Sequence, residues 1–159
     1  GILEEFPNTL YCIVGDGDQK PIIKERVKQL RLENRVQFVS GAADETIVKC
    51  YQHCDVFVLP NRTVGQDIEG FGMVLVEAQA CGKAVIAGDS GGTKETMSID
   101  ETGFIIDCTD KETIAAKIIS MLSDQHRTRD MGQKARMFVS SNFGWLSHVE
   151  KAKKLFQLE

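Results

Sequence analysis

Apolar residues fall in this chain as short, nearly unbroken runs, separated by stretches in which they recur every three or four positions. The runs at 10–14, 36–39, 55–59, 84–87 and 103–106 are rich in strand formers and lack polar alternation. Such runs predict strands of a parallel sheet covered on both faces, the first of them buried like the rest. Between them the period changes. Pro21 sits near the first turn of a helix running to about residue 32, with Ile22, Ile23, Val27 and Leu30 at helical spacing. Asp44 is the expected N-cap of a helix over 45–53, and Thr109 or Asp110 that of a helix through Leu122, whose Ile114, Ala115, Ile118, Ile119 and Leu122 share one face. Residues 94–97 leave room only for a short helix, and two more helices are expected over about 125–140 and 146–158. Residues 1–8 read as the tail of a helix begun upstream. The alternation predicts one α/β domain over 1–159, a three-layer, doubly wound parallel sheet of Rossmann-like kind. Its strand exits, at Gly15 to Gly17, Ser40 and Gly41, 61–70 and 88–92, are expected to converge on one sheet edge, where such folds bind ligands.

One stretch departs from ordinary helix composition: Glu69-Gly70-Phe71-Gly72-Met73-Val74-Leu75-Val76-Glu77-Ala78-Gln79-Ala80-Cys81-Gly82. A buried helix of Met73, Val74, Leu75, Val76, Ala78, Ala80 and Cys81 has no structural use for Glu77, because an unpaired carboxylate removed from water is costly. Gly70 and Gly72 strip side chains from the expected first turn, so backbone N–H groups and the positive end of the helix dipole can face an anion such as phosphate. Carboxylates on both sides of a phosphate cradle suit a diphosphate flanked by hydroxyl-bearing groups, the chemistry of a nucleotide-sugar.

Composition narrows the classes. With 159 residues, 42% hydrophobic and 26% charged, the chain has enough material for one well-buried domain and lacks the profile of disorder. A net charge of −4 gives no electrostatic reason to expect nucleic acid. No apolar run approaches the roughly 20 residues of a spanning helix, and no signal sequence precedes Gly1, so a cytoplasmic location is expected. The five cysteines, Cys12, Cys50, Cys54, Cys81 and Cys108, are odd in number and lie mostly in apolar runs, which favours buried thiols over disulfides. Cys50, His53 and Cys54 are close in sequence, but a second ligand pair at zinc-site spacing is missing, so no metal is expected. Gly15-Asp16-Gly17 is not a dinucleotide fingerprint, since Lys20 occupies the third glycine position and the second strand exits at Ser40-Gly41 without a ribose-binding acid.

Glu69 and Glu77, with seven residues between them and Gly-Phe-Gly after the first, resemble the E-x7-E motif of GT-B glycosyltransferases of the family 4, or group 1, type. The resemblance continues in order through Val14-Gly15-Asp16-Gly17, Arg35-Val36-Gln37-Phe38-Val39-Ser40-Gly41, Tyr51, Cys54-Asp55-Val56-Phe57-Val58-Leu59-Pro60, Lys83-Ala84-Val85-Ile86-Ala87, Gly91-Gly92-Thr93-Lys94-Glu95 and Gly103-Phe104. It covers nearly the whole chain. It implies the C-terminal, donor-binding half of a two-domain, metal-independent, retaining hexosyltransferase. By that resemblance Glu69 is the catalytic-site acid that accepts hydrogen bonds from hydroxyls of the transferred sugar, and Glu77 holds the donor's ribose. Amides around Gly70, Phe71, Gly72 and Met73 hold the diphosphate, while Gly15, Gly17, Val39 and Gly41 approach the nucleotide; Glu95 braces the following helix or meets the ligand.

The implied partners are a UDP-, GDP- or ADP-linked hexose and an acceptor that is a polysaccharide, a lipid or a small molecule. No cofactor is implied. An N-terminal domain and the Arg and Lys that neutralise the leaving diphosphate are expected upstream of this chain. Phe143-Gly144-Trp145 resembles the family's aromatic landmark before a last helix that packs toward that other domain; the plainer reading makes Trp145 core. The loop over 62–69 resembles some mannosyltransferases acting on lipid acceptors, which leaves peripheral association of the parent with the inner face of a membrane open. A GT-B nucleotide-sugar epimerase and a non-catalytic nucleotide-binding or interaction module are the alternatives.

Overall fold

The computed structural model describes residues 1–66 and 68–157; Asp67 of the expected 61–68 loop and Leu158 of the expected last helix lie outside the described residues. The chain divides into two compact units, Gly1–His53 and Cys54–Glu159. Both are α/β with parallel sheets, as the run-and-period pattern predicts.

The first unit comprises α1 (Ile2–Glu5), β1 (Tyr11–Val14), α2 (Lys20–Gln29), β2 (Val36–Val39) and α3 (Asp44–His53). β1 and β2 pair in parallel, Tyr11 opposite Val36 and Val14 opposite Val39. Pro21 stands in the first turn of α2, where its missing N–H has no intrahelical partner to lose. The helix stops at Gln29, short of 32, because Arg31 turns left-handed at φ 55°. Asp44 is the first residue of α3 and not its cap; the Ala43 carbonyl accepts from Thr46 and Ile47 instead.

The expectation of a buried first strand fails. Tyr11, Cys12 and Val14 are exposed, as are Ile22 and Ile23 of α2 and Leu30 just beyond it, and Tyr51 is the single buried residue among those described in this unit. The physical reason is strand count. Two strands with short helices close too little apolar surface to make an independent core. In native-state hydrogen exchange, the amides of β1 and β2 are therefore expected to exchange at least about tenfold faster than the strand amides of the second unit, whose protection should approach the global value.

That second unit runs β3 (Phe57–Leu59), α4 (Met73–Ala80), β4 (Val85–Gly88), a 3-10 helix (Gly91–Thr96), β5 (Gly103–Ile106), α5 (Lys111–Ser123), α6 (Gln125–Asn142) and α7 (Trp145–Phe156). The sheet order is β3-β4-β5, all parallel, with Phe57 opposite Val85 and Val85 opposite Gly103. As the central strand, β4 is buried along its whole length. Ala84, Ile86, Met121 and Met131 form a core against which Val56, Val58, Phe104, Ile106 and Ile118 pack. Asp110 caps α5, accepting from the Glu112 and Thr113 amides at 3.1 Å each. Thr128, Met131, Gly132, Ala135 and Val139 make the buried stripe of α6, and Gly132 lets that helix approach so closely that a Cβ there would lie 2.2 Å from the Gly82 carbonyl oxygen. Trp145 is not core. It is 77% exposed and stacks on His148 at 6.0 Å.

Candidate functional site

The described residues between β3 and α4 are fastened to the turn that follows β4. The Gly88 amide donates to Asn61 Oδ1 at 2.8 Å, and a Cβ on Gly88 would fall 1.7 Å from the Asn61 carbonyl oxygen. Three residues on, a Cβ on Gly91 would fall 1.7 Å from the Glu69 carbonyl oxygen. The Gly92 amide donates to the Gly70 carbonyl at 3.1 Å, where a Cβ on Gly92 would come within 2.7 Å of the same oxygen. At all three points only glycine lets the two backbones meet. Gly91 additionally needs its left-handed φ of 56°. Between them, the Glu69 amide donates to Ser90 Oγ at 3.2 Å. Thr93, fully buried, donates its hydroxyl to the Gly88 carbonyl at 2.8 Å and so holds the turn in shape.

After Gly70, Phe71 meets Phe143 edge-to-face, ring centroids 5.6 Å apart, and Phe143 meets Phe138 at 6.0 Å. The Phe71 ring is thus committed to packing, and its backbone is what remains to offer a ligand. Gly72 is the N-cap of α4 in the left-handed conformation, φ 82°, and its carbonyl accepts from the Leu75 amide at 2.9 Å. Gly70 and Gly72 therefore precede the helix; they do not form its first turn, as the sequence reading has it.

A second expectation is corrected here. α4 is buried on one side only: Leu75, Val76, Ala78 and Gln79 face inward, whereas Met73, Val74, Glu77 and Ala80 share an exposed face. Glu77 is not a carboxylate in a dry core, so burial gives no reason for a compulsory partner. It stands on the open face of the helix, one turn from Met73. The polar residue that is sealed inside is Gln79, whose Nε2 donates to the carbonyls of Thr96 at 2.7 Å and Leu75 at 3.1 Å, tying α4 to the 3-10 helix. Glu69 is half-buried and Glu95 exposed.

In the first unit the two strand exits named from sequence are neighbours. The Gly15 amide donates to the Val39 carbonyl at 2.9 Å, and Ser40 Oγ donates to the Gly15 carbonyl at 3.1 Å. Gly15 and Gly41 both take positive φ, 136° and 59°. Around Gly17, as around Gly15 and Gly41, an added Cβ would meet nothing within 4 Å. Sequence reasoning overlooked what locks this corner. Lys20 Nζ reaches Asp16 at 2.9 Å and also Ser40 Oγ, and that contact holds the Asp16 carboxyl below the usual carboxylate range. The signal was an acid four residues before a lysine at a helix start. Burial pushes the Cys54 thiol up to about 11, which keeps it protonated and unreactive near neutrality; none of the five cysteines is in a disulfide, and Cys12 is exposed while Cys108 is buried. The buried-thiol expectation fails for Cys12 because the strand that carries it is itself uncovered.

Residues 1–138 match the family Glycosyl transferases group 1. The chain belongs to that family. Among its curated group 1 relatives is the GDP-mannose-dependent alpha-(1-6)-phosphatidylinositol monomannoside mannosyltransferase of Mycolicibacterium smegmatis, 36% identical over 141 residues, which cover 87% of this chain and 37% of that protein. The N-acetyl-alpha-D-glucosaminyl L-malate synthase of Bacillus anthracis is 32% identical over 82% of this chain and 32% of its own length. Among solved structures, Anabaena Alr3699/HepE in complex with UDP superposes with a TM-score of 0.81 at 27% identity, covering 99% of this chain and 44% of that one. The C-terminal domain of a group 1 family protein, LpcC, from Francisella tularensis gives 0.77 at 27% identity, covering 91% of this chain and 74% of that domain. The chain thus spans well under half the length of the first curated relatives and corresponds to the Rossmann-like C-terminal half of a GT-B glycosyltransferase. No helix among the described residues is long and apolar enough to cross a membrane.

Proposed function

We propose that this chain is the donor-binding half of a retaining glycosyltransferase, which moves a hexosyl group from a nucleoside diphosphate sugar to an acceptor. The observation that carries the reading is the segment from Glu69 to Glu77. Its first acid has its backbone fixed by Ser90 and Gly91 of the turn after β4, and its second stands on the open face of the helix that the glycines introduce. In this reading Glu69 receives hydroxyls of the transferred hexose and Glu77 those of the ribose. Amides around Gly70, Phe71, Gly72 and Met73 face the diphosphate, and Gly15, Gly17, Val39 and Gly41 offer backbone to the nucleotide.

Transfer needs stabilisation of the negative charge that builds on the departing diphosphate, and amides at a helix start supply part of it without a metal. The rest falls to cationic groups outside this chain, so the chain alone is expected to bind donor weakly and to catalyse little. The names of relatives support the substrate class: one is GDP-mannose-dependent and acts on a phosphatidylinositol mannoside, and a structural neighbour holds UDP. A lipid acceptor would place the parent enzyme at the inner face of a membrane, with this half in the cytoplasm.

Isothermal titration of the chain with GDP-mannose, UDP-glucose and ADP-glucose tests the proposal. Saturable millimolar-range binding of at least one is expected, and failure of all three to bind at several-millimolar concentration would sink it.

A further inference from the structure

The Glu69 amide is held by a side chain, Ser90, and that side chain is sealed. Ser90 is 2% exposed, yet its hydroxyl is placed at the junction of two loops, accepting from the Glu69 amide at 3.2 Å and lying 3.1 Å from Thr63 Oγ1. Ser90 itself is held from behind, where its own amide donates to Thr93 Oγ1 at 3.5 Å and Thr93 anchors on Gly88 at the end of β4. The chain of bonds therefore runs from the central strand, through Thr93 and Ser90, to the backbone of the acid that begins the Glu69 to Glu77 segment. Gly91 and Gly92 close the same contact from the other side, because any Cβ there would drive the turn away from the Glu69 and Gly70 carbonyls.

We infer that Ser90 is a positioning residue for Glu69: its hydroxyl fixes the peptide that carries the acid, and so sets where the carboxylate stands relative to the hexose. The inference rests on the proposed role of Glu69 toward the sugar. It makes the turn after β4 a template, with Ser90 acting on the ligand only through Glu69. Ser90→Ala deletes the acceptor, and with it the side-chain cap on the Thr93 amide, while leaving the backbone contacts of Gly91 and Gly92 in place. The Glu69 N–H then loses its partner in a half-buried setting, a loss that ordinary hydrogen-bond energetics translates into roughly a tenfold change in local opening.

Two measurements on the chain decide the matter. The first needs no ligand. Hydrogen exchange at the Glu69 amide is expected to accelerate about tenfold in Ser90→Ala, with the amides of β3, β4 and β5 unchanged, and to return toward the parent rate in Ser90→Thr. An unchanged Glu69 rate in Ser90→Ala would overturn the inference, as would a uniform acceleration across the sheet, the mark of plain destabilisation. The second compares dissociation constants within the pairs UDP and UDP-glucose, and GDP and GDP-mannose. Ser90→Ala and Glu69→Gln are both expected to change the ratio of sugar-bearing to sugar-free ligand while leaving the affinity for the bare diphosphate within about twofold. If Glu69→Gln shifts the ratio and Ser90→Ala does not, positioning by Ser90 is wrong. If Glu69→Gln shifts neither pair, it is the reading of Glu69 that fails, and the exchange rate alone still judges Ser90.

Discussion

Replacing Gly88 with alanine is expected to lower the melting temperature of the second unit by on the order of 10 °C. The methyl group would have to occupy a point 1.7 Å from the Asn61 carbonyl oxygen, far inside van der Waals contact distance, at the buried end of the central strand. Neither neighbour can yield cheaply. The Gly88 backbone is tied into the ladder with β5 opposite Ile106, and Asn61 is tied to Gly88 through its own side chain at 2.8 Å. Overpacking of this kind costs about 3 kcal/mol, and a unit of roughly this size loses several degrees per kcal/mol. Gly17→Ala supplies the control, since an added Cβ there meets nothing within 4 Å and the backbone is not left-handed. Differential scanning calorimetry of both variants makes the comparison. Equal melting temperatures for Gly88→Ala and the parent would mean that the two loops are not in contact as described.

The same contact shows where the sequence was readable and where it was not. Val36 to Val39 and Gly103 to Ile106 are strands over those very residues, because a nearly continuous apolar run has few other ways to satisfy both its backbone and its side chains. Asp110 before a run of helical period could be named as a cap for a local reason, a carboxylate two and three residues from the amides it receives. Burial was less legible. Leu10, Tyr11 and Val14 have the composition of a core strand, but whether a strand is covered depends on what lies beside it, and the first unit offers one neighbouring strand. Glu77 misled for a related reason. Apolar residues on every side suggested a buried helix, whereas Met73 and Val74 are exposed beside it. The fastening of Glu69 by Ser90 joins residues 21 apart in sequence, and Asn61 and Gly88 are 27 apart; no local pattern announces such pairs. The glycines came nearest to doing so, since a cluster such as Gly88, Gly91 and Gly92 signals close approach without saying to what.

Loss of the Glu77 carboxylate is expected to weaken donor binding by roughly tenfold to a hundredfold. Exposure turns from an objection into the basis of the experiment: a carboxylate on the open face of α4 can be removed without leaving a hole, and surface substitutions of this sort change stability by only about 0.5 kcal/mol. Were Glu77 to accept hydrogen bonds from ribose hydroxyls, those charge-assisted bonds would contribute about 1.5 to 3 kcal/mol each, which is the stated range in affinity. Glu77→Ala should therefore reduce affinity for a nucleoside diphosphate and for its sugar conjugate alike, since the ribose is common to both, whereas Glu69→Gln should distinguish them. Gly70→Ala probes the diphosphate between the two acids. A Cβ at Gly70 would meet no protein atom within 4 Å, so the fold should accept it. Any loss of binding would then come from the methyl group standing where the ligand lies against the backbone. Titration of the three variants against UDP and UDP-glucose, and against GDP and GDP-mannose, separates these roles. Wild-type affinity in both Glu77→Ala and Gly70→Ala would remove the segment from the donor site, because each change deletes or blocks what the ligand is proposed to touch.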